Sequence, residues 1–258
     1  VPANDVFGAG ELVPAPERRS WGRKTGSETI MLVGHVAAGL AVKAYEPRLN
    51  LGVLLIAALF PDLLLWALVL SGLESAAAPM TIAPPRFFVF FFPYSHGLLA
   101  SGFWSLLAAA LGWLLAPPCL AQRLKLALAL GLAVSSHFLL DLLVHVPDLP
   151  VIGPASPKLG LGLWRHMPVA VLLELLLAGI GLVIYLRAVP LSRPRRFSVA
   201  AIVVVTAVLT AAGPYLAGPP PGATTLALSS LATLLMVVLV GFCVEGRVGV
   251  AWREEGAA

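Results

Sequence analysis

The feature that most constrains this chain is a succession of apolar runs, each long enough to carry a helix across hydrocarbon. A bilayer core about 30 Å thick takes about 20 helical residues to cross, and runs of that length stand at about 50 to 72, 96 to 116, 124 to 146, 167 to 189, 198 to 217 and 223 to 244. Apolar and polar residues do not alternate within them, as barrel strands would require. A helix satisfies its own backbone in lipid, so the runs read as helices. Hydrophobic residues make up 59% of the chain and charged residues only 12%, against about one quarter charged in soluble domains, and mean hydropathy is +0.92. A soluble core could not hide that much apolar surface. The expected fold is all-α, a polytopic transmembrane bundle of six clear spans. A further apolar stretch, Met31 to Tyr45, is shorter and reads as a short N-terminal span or a re-entrant helix.

Orientation follows from Lys and Arg, since basic connections stay on the cytoplasmic side. Arg123 and Lys125, then Arg187, Arg193, Arg195 and Arg196, then Arg247 and Arg253 fall in alternate connections and the C-terminal tail, which are assigned inside. Arg86, then Lys158 and Arg165, then the turn from Gly218 to Gly222 with no basic residue are assigned outside. The formal charge of +4 is thus a matter of topology; the expected partner is the lipid bilayer, and no nucleic acid is expected. Residues 1–30 read as a mobile polar tail without the apolar segment of a secretory signal, and residues 247–258 as a cytoplasmic tail. Arg18, Arg19, Arg23 and Lys24 oppose carrying the N-terminal tail outward, an objection that a translation start near Met31 would remove. Cys119 and Cys243 lie far apart and suggest neither a disulfide framework nor a thiolate metal site.

Ionisable side chains inside spans cost at least about 2.5 kcal/mol each on insertion scales, and by default they mark function. Asp62 lies in LIAALFPDLLLWALV, His137 and Asp141 in LAVSSHFLLDLLVH, and Glu174 in VAVLLELLLAG. The five histidines, His35, His96, His137, His145 and His166, all lie in or at the edge of an apolar run. His137, Asp141 and His145 follow at i, i+4 and i+8 and so share one helix face. With the assigned orientation, Asp62 and His137 lie near the midplane, and His96, His145, His166 and Glu174 in the outer half. One shared, outward-facing site is the economical reading. Imidazole with carboxylate suits zinc, manganese or iron better than calcium or magnesium, with zinc the first choice. The bland alternative is that His and Asp pair with one another and with backbone carbonyls as glue between helices. Trp66, Trp104, Trp113 and Trp164 read as packing or interface residues.

The ordered set GHVAAGL, LFPDLLLW, PYSHGLL, SSHFLLDLLVHVPDLP and GLGLW, covering about residues 31 to 190, resembles the YdjM-like family of bacterial membrane-bound metal-dependent hydrolases. By that resemblance His35, Asp62, His96, His137 and Asp141 are metal-site residues. Spacing adds His145 to the metal set, and spacing and depth add Asp148 and Glu174 as carboxylates that move a proton. Residues 31–190 then form the membrane-embedded metal-site domain, and residues 191–246 contribute two additional helices. The order His, Asp, His, then His-x-x-x-Asp is similar, more remotely, to zinc-dependent phospholipase C and related zinc nucleases, in which case Asp62 or Asp141 would bridge two ions.

The resemblance implies a multi-pass hydrolase of the bacterial inner (plasma) membrane, and the basic residues place its C-terminus in the cytoplasm. A site half-sunk in the outer leaflet would favour, through a metal-activated water, a phosphoester or other ester of a lipid-linked or amphiphilic substrate. Two rival readings use the same residues: an intramembrane cation or proton transporter, or a non-enzymatic membrane scaffold with structural His/Asp pairs. A transporter expects polar residues along the full depth of the membrane. The last two spans and the inner halves of the earlier ones are nearly devoid of them.

Overall fold

A computed structural model describes residues 32–77, 89–216 and 222–245. The tail over residues 1–30, Arg86, most of the 218–222 turn and the tail over residues 247–258 lie outside the described residues. The chain forms a bundle of helices α1 (Leu32–Tyr45), α2 (Leu51–Ser71), α3 (Leu98–Leu115), α4 (Leu120–Val144), α5 (Met167–Ala188), α6 (Arg193–Leu216) and α7 (Ala223–Glu245). The last six are long and apolar enough to cross a membrane, so the molecule is an all-α polytopic bundle. Two small antiparallel hairpins interrupt the pattern. β1 (Ser75–Ala77) pairs with β2 (Val89–Phe91), and β3 (Leu149–Pro150) with β4 (Lys158–Leu159).

The helix boundaries have local causes. Asn50 caps α2 by accepting the Gly52 N–H at 2.7 Å, and Gly72, left-handed at φ 77°, ends it and turns the chain towards Glu74. Pro117 and Pro118 stop α3, and α4 starts straight after them at Leu120, so Arg123 and Lys125 lie inside α4 rather than in the connection expected. Pro194 fits a first helical turn, so α6 begins at Arg193 and takes Arg193, Arg195 and Arg196 into the helix, ahead of the expected start near 198. Either way these basic residues stay near one end of the bundle. The β1–β2 and β3–β4 pairs, between α2 and α3 and between α4 and α5, lie at the other.

α1 and α3 show how burial is distributed. At 1.5 Å per residue α1 is about 21 Å long, short of a full crossing. It packs against α2, α4, α5 and α6, with Val33, His35, Val36 and Leu40 essentially inaccessible, so it is a central element rather than a helix lying on the interface. Its close approach to α5 depends on a small residue, since a Cβ on Gly181 would fall 2.7 Å from the Ala37 carbonyl. α3, by contrast, packs chiefly on α4 and exposes Leu99, Phe103, Leu106, Leu114 and Leu115, as a lipid-facing helix does. One expectation fails here: the ends opposite the hairpins are not devoid of polar groups, for Lys43, Glu46 and Asn50 are all buried there. Two of the three sit in or beside a connection, which a search of span interiors passes over.

Candidate metal centre

The site lies where three helix termini meet the middle of a fourth helix. His35 is in the first turn of α1, and His96 sits just ahead of α3. His137 and Asp141 lie one turn apart near the end of α4, and Asp62 is midway along α2 directly after Pro61. Proline has no N–H to give the Ala57 carbonyl, so the helix ladder is already interrupted beside Asp62. All five residues are buried, none more than 7% exposed.

Their ligating atoms converge. Asp141 Oδ2 lies 3.3 Å from His137 Nε2 and 3.6 Å from His96 Nε2, while Asp62 Oδ1 lies 3.5 Å from His96 Nε2 and 3.7 Å from His137 Nε2. The other Asp141 oxygen, Oδ1, lies 3.2 Å from His35 Nε2. Two triads, His35 with His137 and Asp141, and Asp62 with His96 and His137, each offer ligand atoms all within 4.8 Å of one another. His35 and His137 also stack face to face, with centroids 3.6 Å apart.

Proton positions follow from the outer contacts. His137 Nδ1 sits 2.9 Å from the Ala58 carbonyl, which can only accept, so the proton is on Nδ1 and Nε2 is a bare lone pair. His96 Nδ1 sits 2.8 Å from Ser95 Oγ, whose hydroxyl lies 2.7 Å from Glu74 Oε2. His145 Nδ1 sits 3.0 Å from Asp148 Oδ1. Three rings thus have their Nδ1 engaged and present Nε2 towards two aspartates. His96 Nε2 and His137 Nε2 are only 3.2 Å apart, so two ring nitrogens and two carboxylates face one another. Asp62 Oδ2 and His35 Nδ1 are buried with no partner among the described residues. A set of acceptors with too few donors fits a cation, and the mixture of imidazole and carboxylate fits zinc or a neighbouring transition metal.

Electrostatics at the edge of the site agree. Burial alone would lower the pKa of His96, but the adjacent Asp62 carboxylate and the charges of Asp141 and Glu74 outweigh it and hold the ring above the ordinary histidine value. The carboxylates favour positive charge at this point.

The remaining expected residues take different places. His145 is the C-cap of α4 with an extended backbone, not a further turn of the same helix face, and its Nε2 is 4.0 Å from Asp141 Oδ1. It lies outside both triads. Asp148 holds His145, and Glu174 accepts a hydrogen bond from the Gly34 N–H at the start of α1, leaving Oε2 buried without a partner among the described residues. His166 is exposed at the N-cap of α5, and Ser136 bonds the Ala133 carbonyl of its own helix. Sequence reasoning missed Glu74, which lies past the end of the α2 span; the serine next to His96 was its one visible trace. No protein family, characterised protein or solved structure matches the chain.

Proposed function

We propose that this centre holds a divalent transition-metal ion, zinc by its donor set, and that the chain is a membrane-bound metal-dependent hydrolase. The observation that carries the first half is the 3.2 Å meeting of His96 Nε2 and His137 Nε2 beside two buried carboxylates. Asp62, His96, His137 and Asp141 would hold the ion, with His35 and then His145 on the other oxygen of Asp141. His137 has one free ring nitrogen, so it can serve one ion only. A second ion, if held, would draw on His35 and Asp141.

Such an ion supplies a Lewis acid and a water whose pKa falls towards about 7. The chain's own residues do the rest. Asp62 and Asp141 offset the ion's charge in a low-dielectric setting, and the backbone carbonyl of Ala58 keeps His137 in the ligating tautomer. His145 and Asp148 hold one proton between them at the rim, where the Asp148 side chain is 24% exposed, a position from which it can pass to a leaving group. Glu174 fixes the start of α1 and with it His35. The hydrolase reading draws on the resemblance of the ordered motifs to the YdjM-like hydrolases. A lipid-linked or amphiphilic ester, a phosphoester first, suits a site at the end of the bundle where Leu73, Phe91, Tyr94 and Leu161 are exposed. With the basic end of the bundle and the α7 C-terminus in the cytoplasm of a bacterial inner membrane, the centre would face outward.

The test is hydrolysis of a panel of lipid-linked and water-soluble phosphomonoesters, phosphodiesters and carboxylic esters by purified protein, before and after chelation. The expected result is turnover of an amphiphilic phosphoester that a chelator abolishes, zinc restores and Asp62→Asn lacks. Metal-loaded protein without turnover of any of them would remove the hydrolase half and leave the metal centre standing.

A further inference from the structure

Glu74 is 2% exposed, an ionisable side chain at the hairpin end of the bundle that the metal set does not include. It lies just beyond the left-handed Gly72 that ends α2, and its carboxylate is aimed at the turn ahead of α3. Oε1 accepts the backbone N–H groups of Tyr94 at 2.8 Å and Ser95 at 3.0 Å, and Oε2 accepts the Ser95 hydroxyl at 2.7 Å. Ser95 Oγ lies 2.8 Å from His96 Nδ1. A carboxylate, a hydroxyl and an imidazole are therefore in line, and the imidazole is the one that faces Asp62, Asp141 and His137.

A serine hydroxyl has one proton to give. Spent on Glu74, it leaves the Ser95 oxygen as an acceptor, and that oxygen can only take a proton from His96 Nδ1. The ring's other nitrogen is then bare.

We infer that Glu74, acting through Ser95, is a positioning residue that locks His96 in the Nδ1–H tautomer and so makes its Nε2 a ligand. This rests on the metal reading above for its consequence, but the tautomer itself does not depend on a metal. An outer-shell acceptor of this kind orients the ring and raises its basicity, and losing one costs about 10- to 100-fold in metal affinity. The same carboxylate ties the 94–95 backbone to the end of α2, so ring orientation and loop position are set by one group.

The geometry makes a sharp distinction between two substitutions. In Glu74→Gln the amide oxygen can still accept the Tyr94 and Ser95 N–H groups, which preserves the loop. Its NH2 now donates to Ser95 Oγ, so the hydroxyl turns to His96 Nδ1 and donates, and the proton of His96 moves to Nε2. The ligand atom is blocked by an otherwise conservative change. In Ser95→Ala the bias is merely removed, and both tautomers are available.

The experiment is 15N NMR of the histidine rings in chelator-treated protein, paired with zinc affinity measured by competition with a chromophoric chelator, for wild type, Glu74→Gln and Ser95→Ala. The expected result is His96 as Nδ1–H in the wild type and Nε2–H in Glu74→Gln. Zinc affinity should fall about 10- to 100-fold in Glu74→Gln and less in Ser95→Ala. A Glu74 that merely braces the loop would leave the tautomer and the affinity of Glu74→Gln unchanged, and that outcome overturns the inference. Wild-type His96 found as Nε2–H overturns it as well, without reference to metal. Wild-type protein that binds no zinc while showing the expected tautomers fails the metal reading and upholds the lock. Should Glu74→Gln not accumulate, Ser95→Ala carries the test, since a His96 that stays wholly Nδ1–H without the Ser95 hydroxyl overturns the inference.

Discussion

The two ends of the bundle both bury charge, yet they bury it in opposite ways. At the end away from the hairpins, Lys43 Nζ lies 2.8 Å from Glu245 Oε2 and donates to the Pro47 carbonyl at 2.6 Å and to the Leu49 carbonyl. Glu245 also takes the Tyr185 hydroxyl and the Leu51 N–H, each at 2.9 Å. Glu46 takes the Arg48 N–H at 3.0 Å and faces Lys125 Nζ at 3.6 Å. Donors meet acceptors throughout, and the network ties α1, α2, α5 and α7 together. At the hairpin end, two aspartates face the Nε2 atoms of His35, His96 and His137, and among the described residues Asp62 Oδ2 and His35 Nδ1 are buried there without a partner. Burial is nearly the same, with Lys43 at 3% and His137 at 1% exposure. What separates helix glue from a ligand set is therefore the balance of donors and acceptors.

The largest effect that sharpens this contrast is expected of Asp141→Asn. The amide keeps size and shape but removes the charge and one acceptor, so bound metal should fall by more than about tenfold. The amount of folded protein should hardly change, because interhelical polar contacts average only about 0.6 kcal/mol. Metal content per folded chain is the measurement, and a full complement of metal in the variant would dissolve the contrast. Lys43→Met works the other way. It strands Glu245, and breaking a buried pair costs about 3 kcal/mol or more, so thermal unfolding in detergent should occur at lower temperature while metal per folded chain stays at the wild-type value. A smaller loss, about 1 to 3 kcal/mol from overpacking, is expected of Gly181→Leu. Its side chain would be driven into Ala37 on α1, the helix that carries His35 towards one end and Lys43 towards the other, so both unfolding temperature and metal affinity should drop together. The smallest effect belongs to Asp148→Asn, which loosens His145 at the rim and should weaken zinc binding by about tenfold at most. An effect as large as that of Asp141→Asn would move His145 into the centre of the site.

The spans were readable because each is an uninterrupted apolar run, and Asp62, His137 and Asp141 were readable because a charge inside such a run is conspicuous. His35 and His96 stood out as histidines at the edges of runs, and the fold gathers them with the others at one place. What stayed hidden depends on contacts across the fold. Glu74 lies in a connection, where a glutamate is ordinary, and only the return of the chain through β2 brings Ser95 onto it. Glu245 lies near the far end of the sequence from Lys43, and nothing local announces that the two meet. His145 fits the i, i+4, i+8 pattern, but α4 ends at Val144 and the backbone turns extended ahead of Pro147, which spacing alone does not show. Glu174 was marked by its depth, while its partner, the N–H of Gly34 at the start of α1, was visible only once α1 was seen to begin inside the bundle.

The measurement that bears most directly on the account is elemental analysis of the wild-type protein, produced without a histidine tag and purified in detergent, with zinc, manganese and iron determined per chain. The account expects about one equivalent or more of a divalent transition metal, removable by chelation and restored by zinc. Protein that is folded, carries none and takes up none when zinc is supplied would contradict it, because the acceptors at the hairpin end would then be balanced by protons on the histidines, as the opposite end is balanced by Lys43.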